Sequence, residues 1–498
     1  SAFLTLMQSR DYFLVLVKRR AEQVGRTDVQ GVINQATYRA CFEQDRFGSL
    51  ASVLEGITPP LVVSAHDPDP ELTTTDRPFR GPVRTDRKAL RDDLGPRPMA
   101  GVTAFWAPWA FRASSDDLYG VRPDGEEGRD QIAALGEWAR RGGFTYCRWL
   151  GASDWVGGTD PSSVANYYDT MSDLIEALAQ AGLRSQITLF SRRKMIPDPV
   201  GAAREWAAVV NAHRDHVCLV ECVNEWNHAD NDWSDREVRQ VGDSFRAHCE
   251  APLAYSGAAG ATWAEQERRL HDLYSLGRAD VCTIHLPRRQ DTSEGAWRWV
   301  RQAWHTRHIS GAPAVRVDNE HQRWDRSRTG RQVSLAVASL VNAFVSGCAM
   351  SCHHDLYGVR PDRGHMQSMT SERGERLLKA LRAILELLPP DLPNWQSVRV
   401  GPGGGPHPFP SLLSQHWTFD SDLQAGVSRA YASVRGHRLV MVLSGVRERV
   451  MVPEYTHAYR VQSCETGETV YAGAGPVTLS ADDVPAEAEG AAFVVTCL

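Results

Sequence analysis

Eight short runs of β-forming residues recur at nearly regular intervals through the middle of the chain, and this spacing constrains the fold more than any other feature. The runs begin at Gly101, Phe144, Leu183, His216, Pro252, Asp280, Pro313 and Gly347. Their starts differ by 43, 39, 33, 36, 28, 33 and 34 residues. A chain that divides ~250 residues into eight strand–helix units has a repeat of this length, so the spacing predicts eight such units.

Helical patterns fill the intervals between these runs. Pro161 predicts the start of a helix that ends at Gly182, and Ser234 with Glu237 forms a capping box. Strands that alternate with helices form a parallel sheet, and eight regular units favour its closure into a barrel. We therefore predict an α/β fold, a (β/α)8 TIM barrel over residues 99–390.

The segments on either side of the barrel have different patterns. Residues 1–98 are predicted to be an N-terminal helical segment followed by an extended linker, because helical spacing gives way to Asp, Pro, Arg and Thr with few large apolar residues. Residues 391–498 contain Pro- and Gly-rich turns and short strand-like runs without a helix-length amphipathic run. This pattern predicts a small C-terminal β-sandwich-like domain.

The composition excludes several classes of partner. The 61 acidic and 55 basic residues give a net charge of -6, which provides no positive field to attract nucleic acid. No apolar run reaches the ~18 residues of a membrane span. The ten cysteines are scattered without paired CxxC motifs, which argues against a structural zinc site and slightly favours a reducing, cytoplasmic compartment. No signal peptide is visible, but the chain begins at Ser1 without Met, so removal of a leader stays open, as does the oligomeric state.

One internal repeat is present. The segment 117–124, with the sequence DLYGVRPD, recurs at 355–362. Each copy follows a predicted barrel strand, the first and the eighth, and these strands become neighbours when the barrel closes. Two interpretations stay open: the matched loops shape a substrate groove, or they are equivalent structural turns.

Acidic residues stand at the predicted carboxyl ends of two barrel strands. Strand 4 ends in Asn224-Glu225 and strand 7 in Asn319-Glu320. Because the carboxyl ends of all eight strands meet at one rim, the two carboxylates can face each other across its mouth. Such a pair suits glycoside hydrolysis, in which a gap of about 5 Å gives retention and one above about 6.5 Å gives inversion. The alternative is that both are ordinary surface acids.

The Asn-Glu at the end of strand 4, with a Glu at the end of strand 7, resembles the clan A glycoside hydrolases, which include cellulases, mannanases and xylosidases. The resemblance implies a retaining enzyme that cleaves β-linked oligo- or polysaccharide without metal or organic cofactor. Glu225 would be the acid/base, Glu320 the nucleophile, and Asn224 the amide that binds the sugar 2-hydroxyl. Arg148 resembles the arginine that orients the nucleophile, and His285 resembles an active-site histidine.

Tryptophans are concentrated at or just after the predicted strand ends. They are Trp106, Trp109, Trp149, Trp155, Trp226, Trp233 and Trp324. Flat apolar rings at the rim can stack on the C–H faces of sugars, and we predict Trp106, Trp226 and Trp324 as substrate-binding residues. For any single tryptophan, core packing is the competing interpretation.

Two other functions stay open at this stage. Residues 1–98 are compatible with an attachment segment, so the chain could be a non-catalytic carbohydrate-binding protein on a glycosidase-like barrel. A metal-dependent amidohydrolase is the second alternative, because His353 and His354 follow strand 8. Strand 1 lacks the HxH motif of barrel metallohydrolases, so we predict no metal.

Overall fold

The computed structural model of this chain contains a closed barrel and separate antiparallel sheets. The structure describes residues 79–111, 125–154, 159–260, 262–286, 303, 306, 309–320, 333–354, 372–400, 430–436, 438–446, 450–452, 458–475, 477–479 and 491–497. Strands and helices are numbered in chain order. Both copies of the repeat, 117–124 and 355–362, lie outside the described residues, as do residues 1–78.

A small antiparallel sheet precedes the barrel. Its strands are β1 (Arg84–Asp86), β2 (Ala89–Asp92) and β3 (Gly95–Pro96), in the order β1-β2-β3. Val83 and Leu90 are fully buried and belong to one cluster with Met99 and Tyr146 at the amino-terminal end of the barrel. This part of the predicted linker is extended, but it packs against the barrel because Phe79, Val83 and Leu90 are buried.

Eight parallel strands then form a closed barrel. They are β4 (Met99–Thr103), β5 (Tyr146–Ala152), β6 (Arg184–Phe190), β7 (Val217–Val223), β8 (Leu253–Ala254), β9 (Val281–Ile284), β10 (Val315–Asp318) and β11 (Met350–His353). Neighbours in the chain are neighbours in the barrel, and β11 pairs with β4, aligning His353 with Val102. The predicted fold and all eight predicted strands are confirmed.

Helices surround the barrel. They are α1 (Ala107–Phe111), α2 (Gly125–Arg141), α3 (Tyr167–Gln180), α4 (Pro199–Ala212), α5 (Asp235–Arg246), α6 (Trp263–Tyr274), α7 (Val333–Val345) and α8 (Glu372–Leu385), with short 3-10 turns at Arg193–Met195 and Leu392–Asn394. Among the residues that the structure describes, none of these helices has the length and apolar character needed to cross a bilayer.

The helix starts show which local signals were decisive. The predicted capping box is confirmed: Ser234 and Glu237 exchange hydrogen bonds at the start of α5. The start predicted at Pro161 is wrong, since α3 begins at Tyr167. The Asp160 carboxylate accepts hydrogen bonds from the next two serine N–H groups, which folds this stretch into a turn instead.

The C-terminal part forms antiparallel sheets. A six-stranded sheet has the order β12-β13-β14-β19-β16-β17 and a two-stranded sheet pairs β15 with β18. The strands are β12 (Gln396–Val400), β13 (Ala430–Arg435), β14 (Arg438–Val446), β15 (Val450–Val452), β16 (Tyr459–Ser463), β17 (Thr469–Gly473), β18 (Val477–Leu479) and β19 (Ala491–Cys497). The two sheets give the sandwich-like arrangement predicted for this region, and the exact boundaries at 99 and 391 stay predictions.

Helix α7 joins the C-terminal sheet to the barrel. All of its residues are buried, because one side covers the barrel and the other contacts β14 and β19. Val440 and Val494 on that face of the sheet belong to the same core cluster as α7. The opposite face, with Met441 and Phe493, packs against Leu479 of β18. A predominantly apolar helix, here with only Ser334, Ser339 and Asn342 as polar residues, is the expected result of burial on two sides.

The described cysteines are buried free thiols. They are Cys147, Cys218, Cys222, Cys249, Cys282, Cys348, Cys352, Cys464 and Cys497. Burial raises the pKa of those in the barrel strands, for example that of Cys352 to about 12. They therefore act as small apolar side chains in the core.

Candidate active site

Arg148 is the centre of a hydrogen-bond network inside the barrel. It is the third residue of β5 rather than its last, and it is fully buried. Its Nη1 donates to Glu320 Oε1 at 2.7 Å, and its Nη2 donates to Asn224 Oδ1 at 2.9 Å and to Glu221 Oε2 at 3.2 Å. The guanidinium also lies 5.0 Å from the ring centre of Phe105. One cation thus connects β5, β7 and the end of β10.

The charge of Arg148 is secured by its carboxylate neighbours. Burial alone would lower the pKa of the guanidinium, but the nearby Glu221 and Glu320 carboxylates raise it above its ordinary value. A permanently charged guanidinium beside Glu320 favours the ionised form of that carboxyl group.

Glu221 is a member of the network that sequence reasoning missed. It lies inside β7 and is fully buried. Its Oε2 also accepts from Thr188 at 2.7 Å, and its Oε1 accepts from Thr283 at 2.5 Å and from the Gly257 N–H and Asn319 Nδ2, both at 3.1 Å. The signal was available, since a lone charged residue interrupts the apolar run VCLVECV.

Glu225 and Glu320 lie at the two strand ends where the sequence places them. Each is the second residue after its strand, β7 and β10. One oxygen of each carboxylate and one nitrogen of His285 all lie within 4.8 Å of one another. The Glu320 side chain is 6% exposed, whereas that of Glu225 is 23% exposed. The pair is therefore close together but held in different surroundings.

The backbone at Glu225 has an uncommon conformation. Its φ is 42°, in the left-handed region that non-glycine residues adopt at a cost of about 1–3 kcal/mol. Asn231 holds the turn by donating through Nδ2 to the carbonyl oxygens of Asn224 at 2.7 Å and Glu225 at 3.0 Å. The surrounding structure thus fixes the direction of the Glu225 side chain, a feature that often accompanies functional sites.

His285 follows β9 and lies between the two glutamates. Its Nδ1 is 3.1 Å from Glu225 Oε1 and 3.9 Å from Glu320 Oε1. Burial would lower the pKa of His285, but the charge of Glu320 and the hydrogen bond and charge of Glu225 outweigh it and raise the pKa. A Cβ on Gly257 would lie 2.3 Å from the ring Cδ2, so glycine at 257 leaves room for the imidazole.

The two polar atoms of the Asn224 side-chain amide differ in their availability to a ligand. Its Oδ1 accepts from Arg148, so the Nδ2 group is the part of the amide that can donate to a ligand hydroxyl. Asn319, which also precedes a glutamate, has a different role: its Nδ2 donates to Glu221 and its Oδ1 accepts from Gln186. The similar Asn-Glu pairs therefore serve unlike purposes.

The residue after β11, the eighth barrel strand, adds a further group beside Glu320. His354 Nε2 lies 3.9 Å from Glu320 Oε2, and its Nδ1 is 3.1 Å from Thr103 Oγ1 at the end of β4. The sequence singled out this histidine only as an argument about metals. Its position in the barrel makes it a neighbour of the carboxylate pair instead.

A metal ion is disfavoured at this cluster. Glu225, His285 and Glu320 are a donor set that a cation could use, with ligand atoms of compatible spacing. However, the Arg148 guanidinium is 2.7 Å from Glu320 and 3.5 Å from His285 Nε2. A permanent positive charge at this distance opposes a divalent cation, so an active-site metal does not fit these residues well.

The described tryptophans are packed rather than open. Trp106 and Trp226 are 2% and 3% exposed, and the Trp226 indole N–H donates to Asp235 at 2.7 Å. Trp149 is fully buried and packs at a tilt on Trp206. Neither Trp106 nor Trp226 presents an open ring face, so their contact with sugar stays a prediction. Trp155 and Trp324 lie outside the described residues.

Comparison with known proteins identifies the fold but not the family. No protein-family model matches the chain, and neither does any curated protein. The solved structure of a Bacteroides vulgatus protein, provisionally described as a glycoside hydrolase, matches with a TM-score of 0.51 at 11% identity, covering 84% of this chain and 82% of that chain.

Two weaker matches are an exo-β-1,4-mannosidase of Opitutaceae bacterium strain TAV5 and a β-mannanase of the blue mussel Mytilus edulis. The mannosidase has a TM-score of 0.39 at 14% identity, with 54% of each chain covered, so the match spans about half its length. The mannanase has a TM-score of 0.41 at 11% identity, with 61% of this chain and 95% of that chain covered. Only the first match bears on the architecture, and it shows that this chain has the barrel fold expected from its resemblance to clan A.

Proposed function

We propose that this protein is a retaining glycoside hydrolase that cleaves β-linked oligo- or polysaccharide through a glycosyl ester on Glu320. One observation carries the proposal: carboxylate oxygens of Glu225 and Glu320 lie within 4.8 Å of each other at the carboxyl end of the barrel. Retaining enzymes place their two carboxyl groups about 5–5.5 Å apart, whereas inverting enzymes need about 6.5 Å or more to admit a water molecule. The distance supports the double-displacement mechanism.

In the first step, the Glu320 carboxylate attacks the anomeric carbon and forms an ester bond. The glycosidic C–O bond breaks, and the leaving oxygen takes a proton from Glu225. The two residues suit these roles because Arg148 hydrogen-bonds to Glu320 and favours its anion. Glu225 is the more exposed of the two, so it can exchange protons with water.

In the second step, Glu225 accepts a proton from a water molecule that attacks the same carbon. The ester bond to Glu320 breaks, and the sugar leaves with its original configuration. The left-handed backbone at Glu225 fixes its side chain for both proton transfers. In this account the free amide N–H of Asn224 donates to the sugar 2-hydroxyl, and His285 positions Glu225 through their 3.1 Å contact.

The first test is a screen of aryl glycosides with wild-type protein and the Glu320→Ala variant. We expect the variant to lose roughly 10⁴-fold or more of kcat while it folds like wild type by circular dichroism. Glu250→Gln, a substitution of an exposed glutamate, is the matched control and should leave kcat unchanged.

Two outcomes contradict the proposal. Near-normal turnover by Glu320→Ala would remove Glu320 as the nucleophile. Binding of glycans without release of reducing sugar from any substrate in the screen would favour a non-catalytic carbohydrate-binding protein.

A further inference from the structure

A second cluster of ionisable side chains lies at the opposite end of the barrel from Glu225. Glu176 is near the end of α3, His213 follows α4, and His216 immediately precedes β7. The whole of β7 therefore separates this cluster from Glu225. The proposed glycosidase mechanism uses none of these three residues.

The three side chains converge on one point. One nitrogen of each imidazole and one oxygen of Glu176 all lie within 4.8 Å of one another. His216 Nδ1 is 3.1 Å and His213 Nδ1 is 3.8 Å from the same oxygen, Glu176 Oε2. A tight turn creates the pair, because the His216 N–H donates to the His213 carbonyl at 2.8 Å.

A simple ion pair accounts for only part of this geometry. His216 Nδ1 is in close ion-pair contact with Glu176 Oε2 at 3.1 Å, whereas 3.8 Å is too long for a hydrogen bond, so His213 gains little from the carboxylate. Tetrahedral zinc with bonds of about 2.0–2.1 Å to nitrogen and oxygen separates its ligand atoms by roughly 3.3 Å. The two observed distances bracket that value, so a small shift of His213 completes the set.

Ser172 prepares His213 for metal binding. Its Oγ lies 2.5 Å from His213 Nε2, and Ser172 is one turn before Glu176 on α3. If Nε2–H donates to this hydroxyl, the lone pair of His213 is on Nδ1, which is the nitrogen that faces Glu176. Metal-binding histidines typically have their second nitrogen fixed by such a hydrogen bond.

The cluster is also open to an ion from solution. The histidine side chains are each 17% exposed and that of Glu176 is 38% exposed. Imidazole and carboxylate ligands with water in the remaining position form a common zinc set. We propose that Glu176, His213 and His216 bind a divalent transition-metal cation of the zinc type, which ties α3 to the turn between α4 and β7.

The test is a calorimetric titration of the metal-free full chain with ZnCl₂. We expect one zinc ion per chain at this site. Loss of a hydrogen-bond partner of a metal ligand typically weakens metal binding by about 10–100-fold, so we expect Ser172→Ala to weaken it by roughly tenfold. His213→Ala and His216→Ala each remove a ligand and should weaken binding by more than about 100-fold. Glu176→Gln keeps the side-chain shape and should also weaken binding, which covers the case in which a histidine variant does not fold.

Two controls make the result specific. His228→Ala removes an exposed histidine beyond the carboxyl end of β7, at the opposite end of that strand from His216, and should leave zinc binding unchanged. The double variant Glu225→Gln/Glu320→Gln should still bind zinc, since the proposed site does not include the barrel mouth. Absence of zinc binding to wild type, or binding that survives the combined His213→Ala/His216→Ala substitution, would overturn the proposal.

Discussion

Each end of the barrel contains a buried arginine bonded to carboxylates, and the two networks are built differently. Arg184 and Asp92 are paired at 2.9 Å at the amino-terminal end. Arg148 and Glu320 are paired at 2.7 Å near the carboxyl end. The arginines belong to neighbouring strands, β6 and β5, so the fold uses the same kind of ion pair twice with different surroundings.

In the amino-terminal network, Asp92 is saturated with donors. It accepts from the backbone N–H groups of Arg80 at 3.1 Å and Leu94 at 2.9 Å, and from the guanidinium groups of Arg97 at 2.8 Å and Arg184 at 2.9 Å. Burial would raise the pKa of Asp92, but these hydrogen bonds and charges lower it. The carboxylate has no capacity left for a ligand, which is typical of a structural ion pair.

In the carboxyl-end network, part of the hydrogen-bonding capacity faces the barrel mouth. The Glu225 carboxylate is partly exposed, and its backbone is in a strained conformation. The comparison shows a carboxylate enclosed by its donors at one end and a partly exposed carboxylate, held in a fixed direction, at the other. In barrels of this type, reactive groups lie at the carboxyl ends of strands.

The largest expected effect is on turnover at the carboxyl end. Glu225→Gln should lower kcat by about 10²–10⁴-fold for glycosides with poor leaving groups, because these need a proton. The loss should be much smaller for activated aryl leaving groups, which depart without one. A plot of kcat against leaving-group pKa checks this, and equal losses across the series would contradict the assignment.

At the amino-terminal end the effect should be on stability alone. Asp92→Asn removes the buried charge opposite Arg184 and should lower the free energy of unfolding by about 3–5 kcal/mol, with kcat of the folded enzyme unchanged. Since the pKa of Asp92 is lowered, its contribution is present above its ordinary value and lost as the pH falls through the lowered one.

Urea unfolding of this variant has a matched control on the surface. Asp86→Asn removes the partner of an exposed arginine, Arg87, at 3.6 Å, and such pairs contribute at most about 1 kcal/mol. A drop in kcat for Asp92→Asn, or equal stability losses in the two variants, would break the distinction between the two ends.

Glu221→Gln should affect both stability and turnover, because the Glu221 carboxylate accepts a hydrogen bond from Arg148. The new amide N–H group would face donors such as Thr188 and Thr283, so we expect a stability loss of about 1–3 kcal/mol. A misplaced Arg148 should also lower kcat by up to about 10²-fold with little change in KM. Unchanged kcat would limit Glu221 to a structural role.

The smallest expected effect concerns the pH dependence of His285. Its pKa is raised in the folded state, so its stabilising contribution is fully present below its ordinary value near 6.5 and is lost as the pH rises through the raised value. The difference in urea midpoint between wild type and His285→Gln should therefore shrink as the pH increases. His248→Gln is the control, and a difference that grows with pH would contradict the expected sign.

The sequence predicted the barrel because strand spacing and strand ends are local properties. The positions of Glu225, His285 and Glu320 follow from where β7, β9 and β10 end. Glu221 was missed because it lies inside an apolar strand, where its hydrogen-bond partners come from five other parts of the chain. The packed N-terminal sheet was missed because a few apolar residues, such as Val83 and Leu90, make its core contacts.

Other features depend on tertiary structure and were not accessible from sequence patterns. The left-handed conformation of Glu225 results from the contacts of Asn231. The burial of Trp106 and Trp226 depends on side chains that are distant in sequence.

The shifted start of α3 could have been found from the sequence, since Asp160 with the nearby serines at 162 and 163 is a turn signal as well as a helix signal.

The most direct test of the proposed mechanism is to identify the residue that becomes covalently labelled. Wild-type protein is incubated with activated 2-deoxy-2-fluoro glycosides, digested, and analysed by mass spectrometry. We expect one fluorosugar on the peptide that contains Glu320, and none on that peptide in the Glu320→Ala variant. A label on another residue, or turnover of the parent glycoside with inverted product and no label, would contradict the account.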